Sequence, residues 1–297
     1  MFANPTQLPP VLFVCGAPRS GTTLLQALLC SSPDTNPLIG EAIHLAHLVA
    51  AYGNSRDVHQ LGETDDYFAD LEDLRNFYRQ AIAIPLDRVW RRTDRPRCLV
   101  LKSPGLTPHL PDLLELVPNS RAVVAVRDPR DGAASLRAIG LKAEVSLSEN
   151  EPLTIEQRLA RQPSDRLAQH FCQHYATVLA CRDAAVWARL RFVRYEALVE
   201  RPQAAIAQLQ AFTGLDLSCD PARPWQRSAI DFQQLPERYR SWWSGQGYGD
   251  RISDASIGRY RRDFSAEEIR EIEAACGGWM RRFGYATERE TSQLSGA

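Results

Sequence analysis

The chain has 297 residues, 44% of them hydrophobic and 24% charged, with a formal net charge of −1. That length and apolar content allow a sizeable core in a single α/β domain over 1–297. The near-neutral charge argues against a general polyanion binder, so nucleic acid is not an expected partner.

No apolar run approaches the ~20 residues of a bilayer span, and the start MFANPTQLPP lacks the basic and apolar regions of a leader. The seven cysteines are scattered and form no C-x-x-C pair. Together these features lead to the expectation of a cytoplasmic chain with reduced thiols, without a disulfide framework or a metal cluster.

Residues 11–25 read VLFVCGAPRSGTTLL: an apolar strand over 11–15, a glycine-bracketed loop and a helix over 22–30. The frame Gly16-x-x-x-x-Gly21 followed by Thr22-Thr23 is that of a phosphate-holding loop, in which backbone N–H groups and a helix N-terminus converge on an anion. Where a triphosphatase loop carries a lysine, this one has Thr22, and its added cation is Arg19. Such a loop suits one terminal anionic group better than a triphosphate.

A short segment at 38–39 leads to Gly40 and Glu41 and an apolar helix over 42–51. Glu41 is either a general base for a hydroxyl or a first-turn cap of that helix. His44 and His47 lie one turn apart but have no further ligand nearby, so no metal site is expected. A helical region over 66–90 precedes a strand over 99–101 that ends at Lys102. That lysine is either a cation facing the loop or a side chain snorkelling from the sheet end. A helix over 108–116 carries His109.

Residues 121–136 read RAVVAVRDPRDGAASL, a doubly buried strand over 122–126 and a helix over 129–139. Arg127 falls at the strand's carboxyl end, where ligands of open α/β sheets collect. Ser135 lies two turns into the helix. Arg127 is equally suited to pair with Asp131. Residues 140–152 are polar and non-periodic, a long loop of the kind that closes over sites. A long helical run over 155–187, a strand over 191–193 and a helix over 203–212 follow, then an irregular stretch over 220–263. A last helix over 266–282 and a polar tail over 287–297, expected to be disordered, complete the chain. The alternation predicts an α/β fold of three layers, a parallel sheet with helices on both faces, P-loop NTPase-like.

The 11–25 and 121–136 segments together resemble the sulfotransferases that use 3′-phosphoadenosine-5′-phosphosulfate (PAPS) and release adenosine 3′,5′-bisphosphate (PAP). CLVLKSP at 98–104, FVRYEALVERP at 192–202 and SIGRYRRDFS at 256–265 extend the likeness over about residues 10–285. The resemblance implies that Arg19, Ser20, Gly21, Thr22 and Thr23 cradle the 5′-phosphosulfate, and that Arg127 and Ser135 hold the 3′-phosphate. It brings Tyr195 towards adenine, with Arg259 and, by weaker spacing, Ser244 closing over the donor. Arg251, Arg261, Arg262 and Tyr260 are grouped with Arg259.

From the tyrosylprotein branch it implies Glu41 as the base and Lys102, with Arg19, as the transition-state cation. The histidine that the small-phenol branch has after its strand-end lysine is absent at 103–105, which leaves His109 or His44 as the fallback base. The implied function is sulfuryl transfer from PAPS to a hydroxyl of a small-molecule or peptide acceptor, without a metal. A tyrosylprotein-type enzyme, a P-loop kinase of a small metabolite and a non-catalytic nucleotide-binding module stand as alternatives.

Overall fold

Apolar runs rich in Val, Leu, Phe and Ala, buried throughout in β1 and β2, almost throughout in β3 and only in part in β4, give four strands: β1 (Val11–Gly16), β2 (Leu99–Lys102), β3 (Ser120–Val126) and β4 (Leu190–Arg194). The computed structural model describes residues 8–144, 158, 161–217, 220, 224–230 and 252–295. In it these strands form one sheet in the order β2-β1-β3-β4, with every pair parallel. Gly16 stands opposite Ala125, Val14 opposite Lys102, and Ala125 opposite Val193.

The helices in chain order are α1 (Thr22–Leu29), α2 (Ile43–His59), α3 (Leu71–Arg92), α4 (Leu110–Leu116), α5 (Pro129–Glu144), α6 (Ser164–Gln173), α7 (Ala176–Ala180), α8 (Ala184–Ala188), α9 (Tyr195–Glu200), α10 (Pro202–Thr213), α11 (Tyr260–Asp263), α12 (Ala266–Arg282) and α13 (Glu288–Ser295).

The period of two along a strand divides the interior. Phe13, Cys15, Val124 and Val126 join one core with α2 to α6 and α12. Leu12, Val14, Val123 and Ala125 join the other with α1, α9 and α10. Helices therefore cover both faces, as the strand pattern predicts. Six cysteines among the described residues are free thiols, and no helix there is long and apolar enough to cross a membrane.

Several expected boundaries move for local reasons. The helix expected over 42–51 runs on to His59, and the helical region expected from 66 begins only at Leu71, where Asp70 caps α3 by accepting the Asp73 N–H at 2.8 Å. The single run over 155–187 is broken: Cys181 takes an extended conformation, and Asp183 caps α8 through the Ala185 N–H. Helix α5 continues to Glu144, beyond the expected end at 139, and 145–152 lies outside the described residues. A 3₁₀ turn over Pro104–His109 replaces the first turn expected before α4. Within the stretch read as irregular, Pro224–Arg227 also forms a 3₁₀ turn.

Within the tail expected to be disordered, Glu288–Ser295 form a helix, and 296–297 lie outside the described residues. Helix α13 begins where Thr287 and Glu290 bond reciprocally, and its Glu288 accepts from Tyr260 at 2.5 Å and from Arg261 at 3.0 Å.

A buried ion network fastens this C-terminal part to the turn after β3. Arg130, 4% exposed, donates to Asp128 (Nε to Oδ1 3.0 Å, Nη2 to Oδ2 2.6 Å), to Glu273 at 2.5 Å and to the Ala286 carbonyl at 2.9 Å. Its guanidinium also lies 4.4 Å over the Tyr260 ring. Replacing Arg130 by alanine leaves Asp128 and Glu273 buried without their cation. Urea denaturation is expected to show a loss of about 3–5 kcal/mol, and a change of under about 1 kcal/mol would show that the network adds little to stability.

Candidate active site

Every strand ends on the same side of the sheet, and each end contributes a polar group: the loop after β1, Lys102 closing β2, Arg127 following β3 and Tyr195 following β4. The chain leaves β1 for β2 on one side and later returns to β3 on the other. The crevice therefore opens at the point where the strand order reverses.

The loop depends on backbone that L-residues seldom adopt. Gly16 has φ 137°, Arg19 φ 71° and Gly21 φ 93°. Gly21 is the N-cap of α1 and supplies no side-chain acceptor, so the first-turn amides of that helix and the positive end of its dipole remain for an anion. Deeper in the loop the amides are already engaged. The Gly16 N–H donates to Thr107 Oγ1 at 2.7 Å, the Ala17 N–H donates to the Tyr175 hydroxyl at 2.9 Å, and Ser20 Oγ donates back to the Ala17 carbonyl at 2.7 Å. Ser20, Thr22 and Thr23 are all buried.

Lys102 is 1% exposed, so the snorkelling alternative does not hold. Its Nζ donates to Glu41 Oε1 at 2.5 Å and to Thr23 Oγ1 at 3.2 Å, which joins β2, the first turn of α1 and the approach to α2. The Ala42 N–H donates to the Lys102 carbonyl at 2.8 Å and holds that approach in place. Glu41 does not cap α2: the N-cap is Ala42, with no side-chain bond, and Glu41 keeps 30% of its side chain exposed.

On the other side of the loop, Arg19 Nε donates to Ser135 Oγ at 3.1 Å. Arg127, 5% exposed, donates to the Arg19 carbonyl at 3.1 Å and to the Ser256 carbonyl at 2.5 Å, and lies 4.5 Å over the Tyr195 ring. Its Nε is buried with no partner. The Tyr195 and Ser256 hydroxyls are 2.8 Å apart. Tyr195 opens α9 instead of standing in a strand.

Asp131 does not take the Arg127 guanidinium as a hydrogen-bond partner. Its two oxygens accept the Gly258 and Tyr260 N–H groups at 2.8 and 3.1 Å. Burial raises its carboxyl above the usual range, while Arg127 and those two N–H bonds pull it back down.

The structure does not unite every expected residue. Arg259 donates to Asp263 at 2.6 and 2.8 Å along α11, Arg262 also pairs with Asp263, and Arg261 with Glu288. Ser244 and Arg251 lie outside the described residues. His44 and His47 are exposed on α2, and burial pushes the His109 ring below its ordinary pKa. Among the described residues no group of three or more His, Cys, Asp or Glu is placed to hold a metal ion.

Thr107, Tyr175 and Ser256 contribute contacts that the motifs did not reveal. Only Ser256 had a signal, its position at the head of the SIGRYRRDFS segment.

The fit of Tyr195 against the loop is close enough to test. A Cβ on Gly21 would lie 2.4 Å from the Tyr195 ring, at a φ that disfavours any side chain. Gly21→Ala is expected to lower stability by about 1–3 kcal/mol in thermal or urea unfolding. Gly40→Ala meets nothing within 4 Å and should be close to neutral. Equal effects at the two positions would contradict the packing described.

Residues 10–219 match the model of the sulfotransferase family. Among curated proteins, the chain is 29% identical over 224 residues to the nodulation protein NoeE of Sinorhizobium fredii (strain NBRC 101917 / NGR234), covering 73% of this chain and 52% of that one. It is 32% identical over 132 residues to a Caenorhabditis briggsae protein described as a candidate protein-tyrosine sulfotransferase, covering 44% and 42%. The chain thus spans about half the length of the curated relatives it matches.

Two solved structures share the fold. The sulfotransferase domain from the curacin biosynthetic pathway has 19% identity and a TM-score of 0.54 over 94% of this chain and 99% of that one. The sulfotransferase domain of the Synechococcus PCC 7002 olefin synthase has 18% identity and a TM-score of 0.51 over 92% and 98%. The matched span holds the anion loop, Glu41, Lys102, Arg127, Ser135 and Tyr195, and on that match the chain belongs to the sulfotransferase family.

Proposed function

We propose that the protein transfers a sulfuryl group from PAPS to a hydroxyl of an acceptor and releases PAP. The observation that carries this reading is the contact among Lys102, Glu41 and Thr23. It sets a buried cation and a half-exposed carboxylate side by side at the mouth of a lysine-free anion loop.

In the proposed reaction the acceptor oxygen bonds to sulfur while the bond from sulfur to the 5′-phosphate oxygen breaks, and its electron pair stays on the departing phosphate. Glu41 takes the proton of the acceptor hydroxyl. Lys102 and Arg19 meet the charge growing on the leaving oxygen, which is the main requirement of an in-line transfer with little covalent work for the protein. The loop from Arg19 to Thr23 holds the phosphosulfate. Arg127 and Ser135 take the 3′-phosphate, and Tyr195 lies towards the adenine. Arg259, bonded to Asp263 in the structure, and Ser244, which lies outside the described residues, are further residues assigned to the donor.

The buried Arg127 with an unpartnered Nε supports an anionic ligand at that position. The missing loop lysine supports PAPS over a triphosphate and disfavours the kinase alternative.

Calorimetric titration is expected to show tight PAP binding and weak ATP binding. In Arg127→Ala the loss should be about 2–4 kcal/mol, with PAP and adenosine 5′-phosphate then binding alike. A preference for PAP that survives in this variant would mean that another residue reads the 3′-phosphate.

Glu41→Gln keeps size and hydrogen bonding but cannot accept the proton, so turnover should fall roughly 10²–10⁴-fold at near-unchanged PAP affinity. Lys102→Ala should likewise act on turnover more than on donor affinity. Wild-type turnover in Glu41→Gln would remove this carboxylate from the reaction.

A further inference from the structure

Tyr175 is fully buried between α6 and α7, far from the anion loop in sequence. Its hydroxyl accepts the Ala17 N–H at 2.9 Å and donates to the Ala125 carbonyl at 2.8 Å. One oxygen therefore ties the second residue of the loop to β3, two residues before Arg127. Burial raises the phenol well above its ordinary pKa, so the proton that makes the second bond is retained. One residue earlier, Thr107 Oγ1 accepts the Gly16 N–H at 2.7 Å and donates to the Gly16 carbonyl at 3.0 Å.

Both ties consume loop amides that could otherwise turn towards a ligand. With Gly16 and Ala17 so engaged, the anion falls to the later part of the loop and the first turn of α1.

We propose that Tyr175 and Thr107 are positioning residues of the donor site: they set the start of the loop against β3 and confine the anion to the amides at the head of α1. This rests on the donor reading given above. Neither residue needs to touch the donor, since each acts through the backbone of Gly16 and Ala17.

Tyr175→Phe keeps the ring, which packs with Phe171 and Trp279, and removes both bonds of the hydroxyl. The expected result is a PAP dissociation constant raised about five- to tenfold, with a fall in kcat as well. Hydrogen exchange of residues 11–21 should accelerate, while that of the rest of α1 stays protected. The control is Phe171→Leu, which lowers the melting temperature through the same aromatic cluster but should leave PAP binding within twofold of wild type. Thr107→Val, which cuts the tie at Gly16, should repeat the pattern even if Tyr175→Phe proves too unstable to purify.

Wild-type PAP affinity in Tyr175→Phe or Thr107→Val, or an equal loss in Phe171→Leu, would overturn the proposal. Wild-type protein that fails to bind PAP would instead overturn the donor reading. Unchanged exchange of the loop amides in the variants would then count against the positioning role by itself, whatever the ligand.

Discussion

The parallel direction of all four strands is the constraint on which the site depends. A parallel sheet must be covered on both faces, and its connections must cross over through helices. In return, every strand delivers its carboxyl end to the same side of the molecule. The register then fixes relative heights. Gly16 is level with Ala125, and Val14 with Lys102, so the loop emerges between the end of β2 and the end of β3. The anion loop, Lys102, Arg127 and Tyr195 are far apart in sequence, yet the sheet brings them together without requiring any long loop to find its place.

Charges that close to a dry sheet survive only if they are paired. Lys102, Arg127, Asp128, Arg130 and Asp131 are each 6% exposed or less, and the ways in which they are satisfied differ. Arg130 is saturated by two carboxylates, a carbonyl and an aromatic face, and Asp131 by two backbone N–H groups. These are fastenings. Lys102 is bonded to a carboxylate that still reaches solvent, and Arg127 retains a buried Nε without a partner. A buried donor without a partner, as at Arg127 Nε, is costly for the folded protein alone.

The strands, the anion loop and the strand-end Arg127 could be read from the sequence, because a doubly buried strand is a plain apolar run and the loop's glycines sit at fixed spacing. Helix α12 spans the 266–282 expected of it, and Ser265 and Glu268 form a capping box at its start. The break of the 155–187 segment was not legible, since it depends on an extended Cys181 and a cap at Asp183 inside an otherwise helical composition. Helix α13 within the tail escaped for a different reason: it is polar and is held by Tyr260 and Arg261 acting at long range on Glu288. Side-chain bonds from distant segments leave no local pattern, and Tyr175 and Thr107 escaped detection for the same reason. At Glu41 the sequence left base and cap open; the N-cap of α2 is Ala42, and Glu41 accepts from Lys102 instead.

The family match ends at residue 219, whereas Ser256 touches both Arg127 and Tyr195. The C-terminal segment is therefore part of the site although it lies beyond the matched region. It is anchored at three levels: Ser256 on Arg127, Gly258 and Tyr260 on Asp131, and Ala286 on Arg130. All three anchors lie on the turn and first helical residues after β3. The Lys102–Glu41 pair stands on the opposite edge, beyond β1. In the proposed reaction that separation assigns the nucleotide end to the β3–β4 side and the reacting end to the β2 side.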